Sequence, residues 1–408
     1  MVHFRNSFLP HLHDAKPRHV ATPDYGGLKI QFLAEENAPR AIDVLQQQNW
    51  PPHDRDTDEN DIDTYYAFDD DIVRNPYSEY DDDSIRTSKH CRRVAWHRKL
   101  PINCNLIHEL DFLNSIQDGH AEYAGEGAYR QVHLLQLDQD PLIAFKKYRW
   151  DAAYDFRDLE FMRMDAVVAE VMSTEPDIVD IYGFCALAIV NEGILGGDLE
   201  EIATPIEIER GKFIENDKSG QGLQPLNNLT ATEKILYSLE MAEALSKLHA
   251  YPGGVIVHDD IHLGQFLIDD LGHLKLQDFN RAEIMLWNEE DGEYCRYRNN
   301  PGDGEFRAPE EYLDRPLNEK IDVWSLGINM YYVLTGSTVL PEAKTTEEYQ
   351  ERIMKGEKPP IDPRFRERSF AEQTMVDIIE RCWIYNPDER IDIFGVVQIL
   401  REAVKHFE

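Results

Sequence analysis

From residue 117 onward the apolar and polar positions fall into two regimes, short alternating runs first and long helical repeats afterwards. Residues 122–137, EYAGEGAYRQVHLLQL, read as strand, glycine turn, strand, and 141–150, PLIAFKKYRW, read as a third strand. Over 155–173 the apolar residues Phe161, Met164, Val168 and Met172 recur at helical spacing. DIVDIYGFC (177–185) and LAIVNE (187–192) predict two further strands, and the glycine-rich GILGGDLEE reads as a connection after them. Residues 229–250 predict an amphipathic helix: Thr230 or Thr232 can cap it, and Ile235, Leu239, Ala242, Leu245 and Leu248 line one face. Short strands come next around VIVHD, FLID and LKLQD, and the last hundred residues read as helices between proline-rich loops. Strands followed by helices predict an α+β chain of two lobes, without internal repeats.

Composition narrows the functions open to such a chain. Its 408 residues carry 42 Lys+Arg against 77 Asp+Glu, a formal net charge of −35. With 42% hydrophobic residues it can bury a core, which excludes a wholly disordered acidic chain. The charge argues against nucleic acid as a partner, since phosphate contacts need a basic face, and equally against an anionic membrane surface. No run approaches the ~18–20 apolar residues of a transmembrane segment. The first residues, MVHFRNSFLPHLHD, lack the apolar stretch of a signal peptide, so the default expectation is a cytoplasmic chain. The five scattered cysteines, Cys91, Cys104, Cys185, Cys295 and Cys382, predict reduced structural thiols.

Residues 1–116 read as an N-terminal extension with segregated charge. Between 54 and 83 there are 13 acids and two bases, the composition of a partly disordered acidic segment. KHCRRVAWHRK (89–99) then places five Lys/Arg in a short basic segment.

Several residues carry candidate chemistry. Gly125 and Gly127, followed by Val132, allow a flat turn whose backbone N–H groups can approach phosphates. Lys146, near the end of the third strand, can reach phosphates over that turn. Asp260 follows the apolar strand Val255–Val257, and Asp278 follows Leu274–Leu276, with Gln265 between them. Two carboxylates at the ends of short strands suit a base and a divalent-metal ligand.

The succession of glycine turn, Lys146, Asp260, Gln265, Asp278, Ala308-Pro309-Glu310, Asp322-Val323-Trp324-Ser325 and Arg390 resembles the eukaryotic protein kinase family. The resemblance covers roughly 117–405. It implies a bilobal protein-kinase-like fold over 117–408, with a β-rich N-lobe (117–193), a helical C-lobe (194–408) and the nucleotide between them. It further implies ATP with Mg²⁺ or Mn²⁺ as cofactors and a protein hydroxyl as acceptor, Ser/Thr ahead of Tyr. Gly125, Gly127 and Val132 would then cover the nucleotide. Lys146 would pair with its phosphates and with a helix acid, for which Glu170 is the first candidate and Asp165 and Glu160 follow. Asp260 would take the proton of the attacking hydroxyl, His262 would touch the γ-phosphate, and Asp278 and Gln265 would hold metal. Asn191 falls at the gatekeeper position, Glu192 and Ile194 would meet adenine, and Asp198 would meet the ribose. Glu310 and Arg390 match a buried ion pair.

The chain also departs from the family pattern. Arg130 replaces the third glycine of the turn, Asp259 the arginine of His-Arg-Asp, Gln265 an asparagine, and Asn280 the glycine of Asp-Phe-Gly. Residues 281–307 contain no Ser or Thr, only Tyr294 and Tyr297, so the expectation is a segment that needs no Ser/Thr phosphate. Two alternatives stay open: a nucleotide-binding pseudokinase scaffold, and a glycan or small-molecule kinase. For the latter, HDDIHLGQFLIDD resembles the loop of aminoglycoside and choline kinases, and the Gln265-Phe-Leu-Ile and NEKIDVW stretches are similar to the secretory protein O-mannose kinase. That second resemblance implies a lumenal chain and a possible Cys91–Cys104 bridge. The acidic surface favours protein substrates with basic segments.

Overall fold

The computed structural model describes residues 91–92 and 121–407, apart from 128, 137–141, 150, 152–155, 174, 205–224, 301, 303, 338, 340–342 and 344. The expected extension, including its acidic segment and most of its basic one, lies outside the described residues. The described residues divide into two compact units, one within 121–199 and 264–281, the other within 200–263 and 282–407 together with 91–92.

Strand β1 (Cys91–Arg92) belongs to the second unit, where it pairs with Trp287–Asn288. The first unit is built on an antiparallel sheet of β2 (Ala121–Glu126), β3 (Arg130–Gln136), β4 (Leu142–Tyr148), β5 (Ile181–Cys185) and β6 (Ala188–Glu192), ordered β2-β3-β4-β6-β5. These strands follow the short apolar runs of the sequence, because both faces of the sheet leave water. Leu135, Ile143, Phe145 and Val190 form the core on one face. Phe184 and Ile189 pack with Ala166 of helix α1 (Phe156–Met172) on the other. A hairpin, Phe266–Ile268 with Leu274–Leu276, completes the unit: Ile268 N–H donates to Gly197 O, and Val179 N–H to Leu276 O.

The second unit is helical. It comprises α2 (Leu199–Ala203), α3 (Ala231–His249), α4 (Pro309–Tyr312), α5 (Lys320–Thr335), α6 (Thr346–Met354), α7 (Phe365–Arg368), α8 (Phe370–Cys382) and α9 (Ile393–Val404). Of the two threonines able to cap α3, Thr230 does so. Its hydroxyl accepts Glu233 N–H while the Glu233 carboxylate accepts Thr230 N–H, a reciprocal capping box. Helix α5 is buried along nearly its whole length, with Trp324 against Trp383. It stops at Gly336, whose φ of 73° is the left-handed conformation that glycine adopts without a Cβ penalty. Five-stranded antiparallel sheet first and helices second is the α+β architecture that the sequence pattern predicts.

The cysteines depart from expectation. Cys185 and Cys295 each take part in a disulfide rather than remaining reduced. Cys382 is a buried free thiol, pushed by burial up to about 12. Sequence spacing cannot reveal such bonding, because a disulfide depends on Cα atoms approaching within ~7 Å in the folded chain. Among the described residues no helix is long and apolar enough to cross a membrane.

Candidate functional site

In the first unit a charge cluster forms at the base of the glycine turn. Gly127 N–H donates to Arg130 O at 2.8 Å and closes the turn between β2 and β3. Gly125 pairs with Val132 after a register shift, and Val132 in turn sits opposite Lys146 on β4. Lys146 Nζ donates to Gln277 Oε1 at 3.0 Å. Arg130, only 7% exposed, donates from Nη1 to Asp165 Oδ2 at 2.5 Å and from Nη2 to Asp278 Oδ1 at 3.0 Å. Asp165 Oδ1 accepts Phe279 N–H at 2.9 Å.

Two fixed cations therefore face two acids in a largely dry setting. Burial alone would raise Asp165, but the charges of Arg130 and then Lys146 hold it below the usual carboxylate range. Burial likewise opposes the charge on Arg130, and Asp165 and Asp278 together raise it above the ordinary arginine value. Asp278 adopts a left-handed φ of 62°, while Phe279 beside it is buried. A non-glycine residue in that region costs of order 1–3 kcal/mol, so the surrounding contacts must hold it there.

The helix acid of this cluster is Asp165. Glu170, the first candidate, is exposed farther along α1, and Glu160 is bonded to Arg163. At the end of β6, buried Asn191 donates from Nδ2 to Asp180 O, and Glu192 accepts from Asp180 N–H and Lys275 Nζ. Glu192 N–H donates to Asp180 O and Gly193 N–H to Leu142 O, so these two donors serve the sheet. Ile194 is partly buried. Asp198 is buried and bridges to Leu267.

Asp278 and Gln265 are the pair that kinase resemblance would assign to a metal, and they do not fit one in this arrangement. The Arg130 guanidinium on Oδ1 already neutralises Asp278, and Mg²⁺ on the same carboxylate would stand close to that fixed positive charge. Gln265 is buried, and its backbone carbonyl accepts Gln277 N–H.

In the second unit the loop after Ile256–Val257 is organised from α5. Asp322 accepts His258 N–H at 2.8 Å and Asp259 N–H at 2.9 Å, and His249 Nε2 lies 2.9 Å from its Oδ2. Asp259 is left-handed, φ 58°, and its Oδ2 accepts Asn299 Nδ2 at 2.5 Å. Arg307 is the hub of this half. Its Nη2 donates to Asp260 Oδ1 at 2.7 Å, and its Nη1 to Asp259 O, Asp259 Oδ1 and Glu311 Oε1. Burial works against its charge, but Glu311, Asp260 and Asp259 raise it above the ordinary arginine value. Arg307 thus locks Asp260 in place with a cation taken from the segment before Ala308-Pro309-Glu310.

The ring of His262 packs against Phe306, centroids 5.2 Å apart. Arg390 reaches Glu310 with two bonds of 2.7 and 3.0 Å, both side chains buried, and lies over the Trp324 ring. Tyr297 is buried, and burial pushes Tyr294 up to about 12.

The roles of Arg130 and Arg307 escape a sequence reading, since Arg130 pairs with acids 35 and 148 residues away and Arg307 reaches Asp260 47 residues away. For Arg307 a signal was present: an acid at 259, where the family pattern has an arginine, beside the acid at 260 demands a compensating cation elsewhere.

Comparison with known proteins agrees with this geometry. The protein kinase domain family matches residues 120–405. Relatives include PTI1-like tyrosine-protein kinase 3 of Arabidopsis thaliana, 25% identical over 65% of this chain and 65% of its own length. A putative serine/threonine-protein kinase of Acanthamoeba polyphaga mimivirus is 26% identical over 59% of this chain and 38% of its own. Aurora kinase A-B of Xenopus laevis is 23% identical over 67% and 59%. The chain spans less than two thirds of the length of each of these relatives. With a match over most of its length, a sheet bearing Lys146 behind a glycine turn, and an Asp322-anchored loop bearing Asp260, the chain belongs to the protein kinase domain family.

Proposed function

We propose that this chain is an ATP-dependent phosphotransferase acting on a protein hydroxyl, serine or threonine ahead of tyrosine. The observation that carries the reading is the fixed orientation of Asp260, held by Arg307 and by a loop anchored on Asp322. Phosphoryl transfer asks the protein mainly for positioning and charge neutralisation. In this reading the acceptor hydroxyl gives its proton to Asp260 as its oxygen attacks the γ-phosphorus. The bond from that phosphorus to the β,γ-bridging oxygen breaks, and ADP leaves. Lys146 and Arg130 supply fixed positive charge for the phosphates, and the turn at Gly125 and Gly127 covers them. Val132, Glu192, Ile194 and Asp198 are proposed to line the nucleoside. His262 is proposed as a supporting contact to the γ-phosphate. Kinases of this family typically draw on Mg²⁺ as well.

Protein substrates with basic segments suit the net charge of −35. The bonded Cys185 and Cys295 support an oxidising compartment in place of the cytoplasmic default. The test is radiolabelled transfer from ATP to a basic peptide, in Mg²⁺ and in Mn²⁺, by wild type and Asp260→Asn. Wild type transfers label and the variant loses at least about 10²-fold, the ordinary scale of a lost general base. Equal transfer by both would reject the assignment of Asp260. A second reading, a nucleotide-binding scaffold, is favoured by the Arg130–Asp278 pair and is indicated by nucleotide binding without any transfer.

A further inference from the structure

We infer that Arg130 is a built-in cation that takes the place of a divalent metal at Asp278, so that the chain binds nucleotide phosphates without needing one. The inference rests on the reading of the first unit as a nucleotide site, and it begins from the misfit between Asp278 and a metal ion.

Arg130 stands where the family resemblance expects a glycine, at the first position of β3. Its backbone carbonyl closes the turn with Gly127, so the side chain starts from a fixed point. Its guanidinium then spans the two acids, Asp165 and Asp278, with one nitrogen on each. A planar fork of donors suits this better than any other side chain, because both nitrogens bond at once in fixed geometry. The side chain of Asp278 remains 30% exposed while that of Arg130 is 7% exposed, so the cation sits inside and the acid faces the more open side.

The cluster is already balanced, Arg130 and Lys146 against Asp165 and Asp278. A divalent ion at Asp278 would add like charge beside the guanidinium that already neutralises this carboxylate through Oδ1. Nucleotide phosphates bring negative charge and meet no such repulsion, and they can share donors that the guanidinium still has to offer. The Asp165 bond keeps Arg130 in place while they do so. Metal binding and Arg130 thus compete for the charge of one carboxylate, whereas phosphate binding and Arg130 cooperate.

The experiment is isothermal calorimetry and thermal shift of the full chain with ATP, in EDTA and in Mg²⁺, for wild type, Arg130→Gly and Arg130→Lys. Wild type binds ATP in EDTA within about threefold of its affinity in Mg²⁺. Arg130→Gly loses about tenfold or more in EDTA and regains it when Mg²⁺ is supplied, the scale expected for a charge-assisted contact to phosphate. Arg130→Lys falls between, keeping a charge and losing the fork. A wild type that gains tenfold or more from Mg²⁺ overturns the inference while leaving the nucleotide reading intact. So does an Arg130→Gly that matches wild type in EDTA. Absence of ATP binding by wild type in both conditions rejects the nucleotide reading and this inference together. Should Arg130→Gly fail to fold, the wild-type comparison alone decides.

Discussion

At the scale of single residues, charge reversal accounts for one departure from the family pattern, at Asp259. Asp259 stands where the family keeps arginine, and Arg307 answers it from a later segment. Where the family pattern has a cation, this chain has an acid that already holds one. Arg307→Ala is therefore expected to leave Asp259, Asp260 and Glu311 without their shared counter-charge. Transfer activity should collapse even though no phosphosite is touched, and Arg307→Lys should restore only part of it, since one ammonium cannot bridge three acids. The readout is kcat for the basic peptide, alongside circular dichroism to check folding. If Tyr294→Phe or Tyr297→Phe abolishes activity in the same assay, phosphate-independent ordering of the segment is rejected. Glu311 adds a pH dependence of definite sign. Burial, with Asp259 reinforcing it against Arg307, pushes its carboxyl from 4.5 up to about 7. The folded state then holds that proton more tightly than the unfolded state. Ionising Glu311 consequently lowers stability progressively from about pH 4.5 to about pH 7, with no further loss above. Melting temperatures of wild type and Glu311→Gln between pH 5 and 8 check this. The wild type should decline relative to the variant up to pH 7 and run parallel beyond it.

At the scale of elements, the order of strands and helices was legible in the sequence because burial imposes a period on each. The strands at Ile181–Cys185 and Ala188–Glu192 and the helix from Ala231 to His249 all follow their apolar spacing. The Thr230 cap was equally legible, since a threonine three residues before Glu233 has local partners only. Thr230→Ala is expected to cost about 1 kcal/mol, measured by denaturant unfolding. What local pattern could not show was the rotational setting of α1. Met162, Ala166, Val167, Val168 and Ala169 are all buried, so the helix has no clean polar face to orient it. Asp165 and Glu170 were therefore indistinguishable by period, and only the folded position of Arg130 separates them. Glu310 and Arg390 were found from motif order, 80 residues apart, because both lie in recognisable segments. Breaking that buried pair with Glu310→Ala should cost about 3–5 kcal/mol, seen as a drop in the unfolding midpoint at unchanged slope.

At the scale of the whole molecule, two properties set conditions for any experiment. The first is the engagement of Cys185 and Cys295 in disulfide bonding, which an odd and scattered cysteine count concealed. Intact mass without reductant should show fewer free thiols than five, and dithiothreitol should lower the melting temperature, with a typical disulfide contributing about 2–4 kcal/mol. Five free thiols and an unchanged melting temperature would restore the reducing-compartment expectation. The second property is the net charge of −35, whose self-repulsion opposes compactness.

That repulsion gives the buried ion pairs a consequence in ionic strength. Arg130–Asp165, Arg307–Asp260 and Arg390–Glu310 all have arginines almost wholly removed from solvent, so mobile ions screen them weakly. Repulsion among exposed carboxylates is screened strongly, over a Debye length that shrinks from about 30 Å at 0.01 M to about 10 Å at 0.1 M. Added sodium chloride should thus remove what pushes the chain apart before it weakens the buried pairs within each unit. The fold should become more stable as salt rises from 10 to several hundred millimolar, and a chain purified in low-salt buffer should be the one most prone to lose its structure.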